Sequence, residues 1–458
     1  MESPDDTIVA ISTPIGQGGI GIVRLSGPES LAILRGLFVG SGRGSRRLAS
    51  HRLYHGHIVD PASGRRADEV LVAYMRAPRT YTRQDVVEIN CHGGMAALRE
   101  VLRLCLAAGA RPAHPGEFTL RAFLNGRIDL AQAEAVLDVI RAETSASLRV
   151  AVEQLGGRLS RHVGEVRRRL VEALAYLEAS IDFEDEIPPR DVGADLATAA
   201  DALRALVQEA ECGALYRQGV RVAIVGRPNV GKSSLLNALL RRERAIVTPI
   251  PGTTRDTVEE AINLRGIPVV LTDTAGLTDS DDAIERIGME RSRASMMRAD
   301  VVLLVVDGSC PPGTADRRIA ADVAAAMDGR AAVVVINKVD LPPADGHEAL
   351  LTEAPRVRVS ARTGDGIAAL EECLLETILA SPVTPGAEPL ASNPRHRELF
   401  GRTLDHVSAA ATALAEGVGA DLVAIDVSEA VMALGQVTGE TATEDLLDTI
   451  FSAYCIGK

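Results

Sequence analysis

Residues 226–233 read "GRPNVGKS", after the strand-like run "RVAIV" (221–225) and before the helix-like run "SLLNALL" (234–240). A glycine-rich loop between a strand and a helix is the setting a phosphate-binding loop requires. Glycines let backbone N–H groups turn towards an anion, and a helix N-terminus favours negative charge. Gly226, Asn229, Val230, Gly231, Lys232, Ser233 and Ser234 are therefore candidate phosphate contacts. Lys232 is expected to reach the β- and γ-phosphates, and Ser233 to ligate magnesium.

Around this loop, from about Gly219 to Ile378, β-branched runs alternate with helical stretches. "RVAIV", "PVVLTD" (268–273), "VVLLVVD" (301–307) and "AAVVVIN" (331–337) are continuous apolar runs, as parallel strands buried on both faces should be. The expectation is a doubly wound α/β domain. Three more motifs lie at the ends of such runs. "DTAG" (Asp273, Thr274, Ala275, Gly276) places Asp273 to hold the magnesium shell. "NKVD" places Asp340 to accept from the N1–H and exocyclic amine of guanine, with Asn337 and Lys338 framing the base. "SAR" offers backbone donors at Ser360 and Ala361 to the guanine oxygen. A site built for these hydrogen bonds rejects adenine, which leaves them unpaired. Four motifs in this order predict GTP binding. The residue after "DTAG" is Leu277, where many GTPases carry a water-orienting Gln. Arg255 is either an internal arginine finger or a solvated loop arginine.

Outward from this domain, residues up to about Arg121 read as a mixed α/β domain. "TIVAIST" (7–13), "GIGIVRLSG" (19–27), "EVLVAYM" (69–75) and "DVVEIN" (85–90) are its strands, and "MAALREVLRLCLAAG" (95–109) is a helix closed by Gly109. "SGRGSRRLAS" (41–50) reads as a loop. "GQGGIG" (16–21) lies between two strands rather than before a helix, so it reads as a hairpin turn or a ligand-loop backbone and not as a dinucleotide fingerprint. "CHGG" (91–94) has too few ligands for a metal and reads as a strand-to-helix turn. From about Ala122 to Arg217 the chain is helical. Leu155, Leu159, Val163, Val166, Leu170, Leu174, Leu177 and Ile181 form one apolar stripe, with Gly156 and Gly157 breaking its start and "FEDEIPP" (183–189) its end. A proline-rich linker, "SPVTPGAEPLASNP" (381–394), leads back into helix. The predicted organisation is residues 1–121, 122–218, 219–378 and 379–458. The second and fourth segments make one discontinuous all-helical domain, and the α/β unit is inserted between them.

Composition sets limits. A chain of 458 residues predicts several domains. Net charge is −13, with 62 acidic against 49 basic residues, so broad unaided binding of nucleic acid is not expected. The six cysteines form no CxxC pair, which predicts reduced thiols, mostly in the core. No run is long and apolar enough to span a membrane, and residues 1–14 do not read as a targeting peptide. A cytoplasmic protein without a membrane partner is the expectation.

Asn229 inside the phosphate loop, together with "AIVTPIPGTTRD" (245–256) and "DTAGL…ERIGMERS" (273–292), resembles the tRNA-modification GTPases called MnmE or TrmE. "PGEFTLRAFLNGRIDLAQAEAV" (115–136) and "DLLDTIFSAYCIGK" (445–458) extend the resemblance over essentially the whole chain. The resemblance implies a potassium ion held by Asn229, Thr248, Ile250 and Thr253, placed where an arginine finger puts its charge. It implies that Thr254 joins Ser233 on magnesium, that Thr248 and Thr253 belong to the nucleotide site, and that Glu285 orients the attacking water. It implies a homodimer, a heterotetramer with an FAD- and NADH-dependent subunit of the MnmG or GidA type, and a carboxymethylaminomethyl-type group added at C5 of the wobble uridine of certain tRNAs.

The same resemblance makes the N-terminal domain a folate-binding-like and dimerisation domain. It would take a tetrahydrofolate derivative, 5-formyl or methylene, near Arg24, Gln84, Arg127 and Lys458. The family often has Lys at Arg127 and an acid at Gln84, and Asp85 and Glu88 are the acids nearby. "CIGK" (455–458) lacks the aliphatic pair of a prenylation box. By resemblance Cys455 is a functional thiol, and the alternative is a core cysteine. The capped, amphipathic "TATEDLLDTIFSAY" (441–454) before it, with Leu446, Leu447, Ile450, Phe451 and Tyr454, should hold the tail in place. Two rivals remain. A ribosome-assembly GTPase switch binding ribosomal RNA would share the four motifs but need neither the N-terminal domain nor the cysteine tail. A membrane-remodelling or scaffold GTPase would need a lipid-binding patch or long polymerising helices, and neither is evident in the sequence.

Overall fold

The computed structural model describes residues 6–14, 16–41, 48–182, 188–242, 259–273, 296–326, 331–379 and 389–458. By packing, the chain divides into two compact units. The first comprises the described residues of Met1–Leu137, Leu155–Val192 and Thr412–Lys458; the second, those of Asp138–Gln154 and Gly193–Ala411.

The first unit holds strands β1 (Ile8–Ile11), β2 (Ile20–Ser26), β3 (Phe38–Gly40), β4 (Arg52–Val59), β5 (Arg66–Met75), β6 (Val86–His92) and β7 (Arg111–Pro112) in one sheet, ordered β3-β4-β5-β6-β2-β1-β7. All pairs are antiparallel except β1 with β7. Helices α1 (Ser30–Leu37) and α2 (Met95–Ala107) cover one face, where Val23, Leu25, Ile58, Val72, Ile89, Leu98 and Val101 make the core. Alternation explains the faces: Val23 and Leu25 point into this core, and Arg24 between them points to the other side. Helix α1 and strand β4 were not expected from the sequence. Helix α1 is only eight residues long. Strand β4 carries Gly56 on its buried side, where a Cβ would meet the Phe38 ring at 2.6 Å. A strand whose inward position must be empty shows weak apolar alternation. "GQGGIG" does join the antiparallel pair β1–β2, and "CHGG" does join β6 to α2.

Helices α3 (Glu117–Leu124), α4 (Leu130–Arg141), α5 (Ser145–Leu155) and α6 (Arg158–Asp182) follow. Gly157, at φ +76, separates α5 from α6, as the glycine pair predicted. The inward stripe of α6 is Leu159, Val163, Val166, Leu170, Ala173 and Leu177. Ala173, not Leu174, is its buried member, and Ile181 is 51% exposed, because a 3.6-residue turn drifts off a strict four-three spacing.

Helices α7 (Val192–Gln218) and α8 (Lys232–Arg242) flank strand β8 (Val220–Val225). Strands β9 (Glu259–Leu264), β10 (Ile267–Asp273), β11 (Val301–Asp307), β12 (Ala331–Asn337) and β13 (Arg356–Arg358) complete the second sheet, ordered β13-β12-β11-β8-β10-β9. The four expected strands and β13 run parallel. Three of the four predicted runs are buried on both faces, and on β10 Val269 and Leu271 are buried while Val270 and Thr272 are half-buried. Val222, Ile224, Leu303, Val305, Val333 and Val335 pack on one side, and Ala223, Val225, Val302, Leu304, Val306 and Val334 on the other. Each buried Val, Leu or Ile among them contributes about 2 kcal/mol of burial free energy. Helices α9 (Thr314–Ala326) and α10 (Ile367–Ile378) supply the cover on opposite faces. The sheet is doubly wound, with one departure: β9 is an antiparallel edge, turned onto β10 through Arg265 and Gly266 at φ +48 and +99.

The chain ends in α11 (Pro394–Ala415), α12 (Ala420–Thr438) and α13 (Glu444–Ser452). Helix α12 packs along α6. Thr443 caps α13 by accepting from the Leu446 amide at 3.4 Å. Leu447, Phe451 and Tyr454 bury against Leu130, Ala133 and Leu137.

Candidate functional site

The phosphate loop leaves β8 at Gly226, whose φ is +155 and whose added Cβ would stand 2.3 Å from the Val305 carbonyl. Only glycine lets the chain turn this close to β11. Asn229 adopts φ +64, and Gly231 φ +98, before α8 begins at Lys232. A Cβ at Gly231 would fall 2.3 Å from the Asn337 side-chain nitrogen. Ser233 and Ser234 stand in the first turn of α8, at a helix N-terminus that favours an anion. Lys232 is 7% exposed, and its Nζ donates to the carbonyls of Gly226 (2.9 Å) and Arg227 (3.0 Å). The ammonium thus lies over the loop.

Asn337, at the end of β12 and 2% exposed, ties three motifs together. Its Nδ2 donates to the Val230 carbonyl at 2.8 Å, and its Oδ1 accepts from the Ala361 amide at 3.0 Å. Lys338, at φ +65, donates to the Asn229 carbonyl (2.8 Å) and to Asp307 Oδ2 (2.6 Å). Asp340 Oδ1 accepts from the Ser360 hydroxyl at 2.7 Å, which itself accepts from the Thr363 amide. The Ser360 hydroxyl holds the Asp340 carboxyl below the usual carboxylate range. Phosphate loop, "NKVD" and "SAR" form one hydrogen-bonded unit at the carboxyl ends of parallel strands, where α/β sheets place their ligands.

Asp307 was missed as a site residue. It ends β11, next to the strand that carries the phosphate loop. Burial opposes its ionisation, but Lys338 and the hydroxyl and amide of Ser309 outweigh it and bring its carboxyl down to about 2. The available signal was an acid at the carboxyl end of an apolar run.

Asp273 ends β10 opposite Ile224 of β8, so its backbone stands beside the strand that leads into the phosphate loop. Thr248, Ile250, Thr253, Thr254, Arg255, Thr274, Ala275, Gly276, Leu277 and Glu285 lie outside the described residues.

In the first unit the tail docks on the N-terminal sheet. Arg24 bridges Glu88 (Nε to Oε1, 2.9 Å) and the carbonyl of Gly457 (NH1, 3.1 Å), which lies 433 residues from Arg24 in the chain. Ile456 pairs with Pro115 in an antiparallel bridge. Gly457, at φ +96, lies so close to β1 that a Cβ would meet the Ile11 carbonyl at 2.5 Å. Burial lowers the Lys458 amine below its usual value, and the neighbouring Arg24 charge adds to this. Arg127 donates to the Tyr81 carbonyl at 3.0 Å and lies 4.7 Å from the centre of that ring. Arg24 lies 5.8 Å from the ring centre of Phe118. Tyr81 feels both guanidinium charges and bonds through its hydroxyl to Thr119 at 2.9 Å. Arg24 and Arg127 therefore each lie over an aromatic ring that the sequence did not single out, and Lys458 lies near Arg24 and Glu88.

Gln84 accepts instead from Ser26 (2.9 Å) and from Arg121 (3.1 Å), a member of a buried ion network with Asp6, Arg111 and Glu117. Of the two nearby acids, Glu88 meets Arg24, and Asp85 is taken by Tyr74 and the Ala77 amide. Only Cys91 and Cys105 among the six cysteines are buried, with burial pushing both thiols up to about 12; three are half-buried, and Cys455 is exposed. The expectation of mostly core thiols is corrected, and Cys455 is not a core residue. It stays exposed because Tyr454 before it fills the pocket against Ala133.

Two family descriptions match the chain: "GTP-binding protein TrmE N-terminus" over residues 7–127 and "MnmE helical domain" over 130–455. The "tRNA modification GTPase MnmE" of Roseiflexus sp. (strain RS-1) is 49% identical over 466 residues, covering 99% of both chains. That of Roseiflexus castenholzii is 50% identical over 471 residues, again 99% of both. That of Chloroflexus aurantiacus is 51% identical over 460 residues, 99% of this chain and 100% of its own. With relatives aligned from end to end, and with the phosphate loop and both base motifs joined through Asn337, the chain belongs to the MnmE (TrmE) family of tRNA modification GTPases.

Proposed function

We propose that this chain is a GTPase acting in the modification of tRNA at C5 of the wobble uridine, as a homodimer working with a flavin- and NADH-dependent subunit. The observation that carries the nucleotide half is the Val230–Asn337–Ala361 linkage, which builds a phosphate site and a base site into one rigid edge. Asp340 would read guanine, Lys232 the β- and γ-phosphates, and Ser233 with Thr254 would hold magnesium, which neutralises phosphate charge when bound. Lys338 donates to the backbone carbonyl of Asn229, and the Asn229 side-chain oxygen is the group it would offer a cation. That fits a potassium ion shared with Thr248, Ile250 and Thr253. Such an ion would supply positive charge where an arginine finger otherwise puts it. Glu285 would orient water in place of the Gln missing at Leu277. GTP turnover is expected to be several times faster in potassium than in sodium at equal ionic strength. Glu285→Ala should bind GTP normally yet hydrolyse it more than about a hundredfold slower. Equal rates in both salts, or a fully active Glu285→Ala, would remove the respective role.

The N-terminal site fits a tetrahydrofolate derivative. The half-buried Tyr81 ring would border the pterin, and Arg24, Arg127 and Lys458 suit the glutamate carboxylates. A bound folate would supply the one-carbon unit, and Cys455, exposed on a docked tail, would be the thiol that acts there. Nucleoside analysis of bulk tRNA tests the whole proposal. Cells lacking this chain should lose the modified wobble uridine, with wild type restoring it and Cys455→Ser failing. Unchanged tRNA in the deletion would overturn the modification reading and leave a GTPase of another client.

A further inference from the structure

The turn that follows β11 grips the phosphate loop on both sides of Pro228. On one side Asp307 Oδ2 accepts from Lys338 Nζ at 2.6 Å, and the same Nζ reaches the Asn229 carbonyl at 2.8 Å. On the other side Arg227 donates to Cys310 Sγ at 2.8 Å and pairs with the 3% exposed Asp316 at 3.2 Å. The turn is itself tightly held. Ser309 gives Asp307 Oδ1 both its amide (3.0 Å) and its hydroxyl (2.6 Å), which leaves Oδ2 to face the lysine. The Asp307 carbonyl meets His347 Nε2 at 3.0 Å. The Gly308 amide donates to the Asn337 carbonyl at 2.7 Å, and a Cβ on Gly308 would stand 2.8 Å from that oxygen. The missing side chain lets the end of β11 lie flush against the end of β12, and this brings Asp307 to Lys338.

A lysine ammonium on a four-carbon stem has many rotamers, and a fixed carboxylate selects one of them. The selected one spans from "NKVD" to the loop carbonyl of Asn229, a residue held at φ +64, where a side chain is strained. We infer that Asp307 is a positioning residue of the nucleotide site: through Lys338 it fixes the Asn229 carbonyl and the left-handed bend of the phosphate loop, and so sets guanine-nucleotide affinity and the cation response of hydrolysis. The cation part rests on the potassium reading above; the affinity part does not.

The experiment is a double-mutant cycle in the full-length chain. Asp307→Asn, Lys338→Met and the double variant are titrated with fluorescent GDP, and hydrolysis is followed against potassium concentration. Asp307→Asn should weaken GDP binding about tenfold, the usual value of a charged hydrogen bond. It should also raise the potassium concentration for half-maximal turnover severalfold. In the Lys338→Met background Asp307→Asn should add nothing, because the lysine carries its effect. An equal loss in that background, or wild-type affinity in Asp307→Asn, overturns the inference. Should Asp307→Asn fail to fold, Ser309→Ala replaces it: a smaller loss in the same direction supports the inference, and unchanged affinity overturns it. If wild type shows no potassium response, the cation reading fails, and the affinity cycle still decides the role of Asp307.

Discussion

Asp340→Asn is expected to lower GTP affinity by about a thousandfold and to transfer preference to xanthosine triphosphate. The carboxylate offers two acceptors, and guanine offers two donors, N1–H and the exocyclic amine. Asparagine turns one acceptor into an N–H donor. Xanthine carries a carbonyl where guanine carries the amine, so the exchanged pair is complementary again. The geometry makes the switch clean, because Asp340 Oδ1 is anchored by the Ser360 hydroxyl at 2.7 Å, and an amide oxygen can keep that bond. The substitution also leaves the Asn337 linkage between phosphate loop and "SAR" untouched. Direct titration of wild type and Asp340→Asn with fluorescent GTP and with fluorescent xanthosine triphosphate measures the effect. Unchanged GTP affinity in Asp340→Asn would show that another residue reads the base.

Gly457→Val should abolish tRNA modification while sparing GTP hydrolysis. Gly457 needs its glycine twice. Its φ of +96 is closed to a β-branched residue, and a Cβ would sit 2.5 Å from the Ile11 carbonyl, a backbone atom that cannot rotate away. The tail must then leave Arg24, and with it Cys455 and Lys458 lose their place. A displacement of about 1 Å can cost two orders of magnitude in a positioned reaction, so modified uridine should fall about a hundredfold. Thermal stability should change little, because Cys455 and Ile456 are exposed and the buried anchor, Tyr454, precedes the substitution. Modified uridine at the wild-type level in Gly457→Val cells would show that docking of the tail is not needed for the reaction.

Much of this site was legible because its chemistry is local. "GRPNVGKS" needs only eight consecutive residues to bend a backbone around an anion. Runs such as "AAVVVIN" declare burial on both faces, since every position must be apolar when helices cover both sides. The unexpected elements share another property. Strand β9 follows directly on the "PGTTRD" stretch and gains its place only by pairing with β10. Strand β4 hides its alternation behind Gly56, which the Phe38 ring requires to be small. Helix α6 shows the limit of counting: Ala173 takes the inward place assigned to Leu174, since apolar spacing alone does not distinguish a residue facing the core from its neighbour.

By itself, then, the sequence determined which residues could meet a guanine nucleotide, that a parallel sheet would present them, and that a capped final helix would hold the cysteine tail. The tertiary structure alone decided the partners. It set Asp307 on Lys338, turned Gln84 to Arg121 and Glu88 to Arg24, and brought Tyr81 and Phe118 beneath two arginines. These are contacts between residues far apart in the chain. A side chain's propensity and periodicity encode its own conformation, whereas the identity of a neighbour tens to hundreds of residues away depends on strand order, register and the path of the whole backbone.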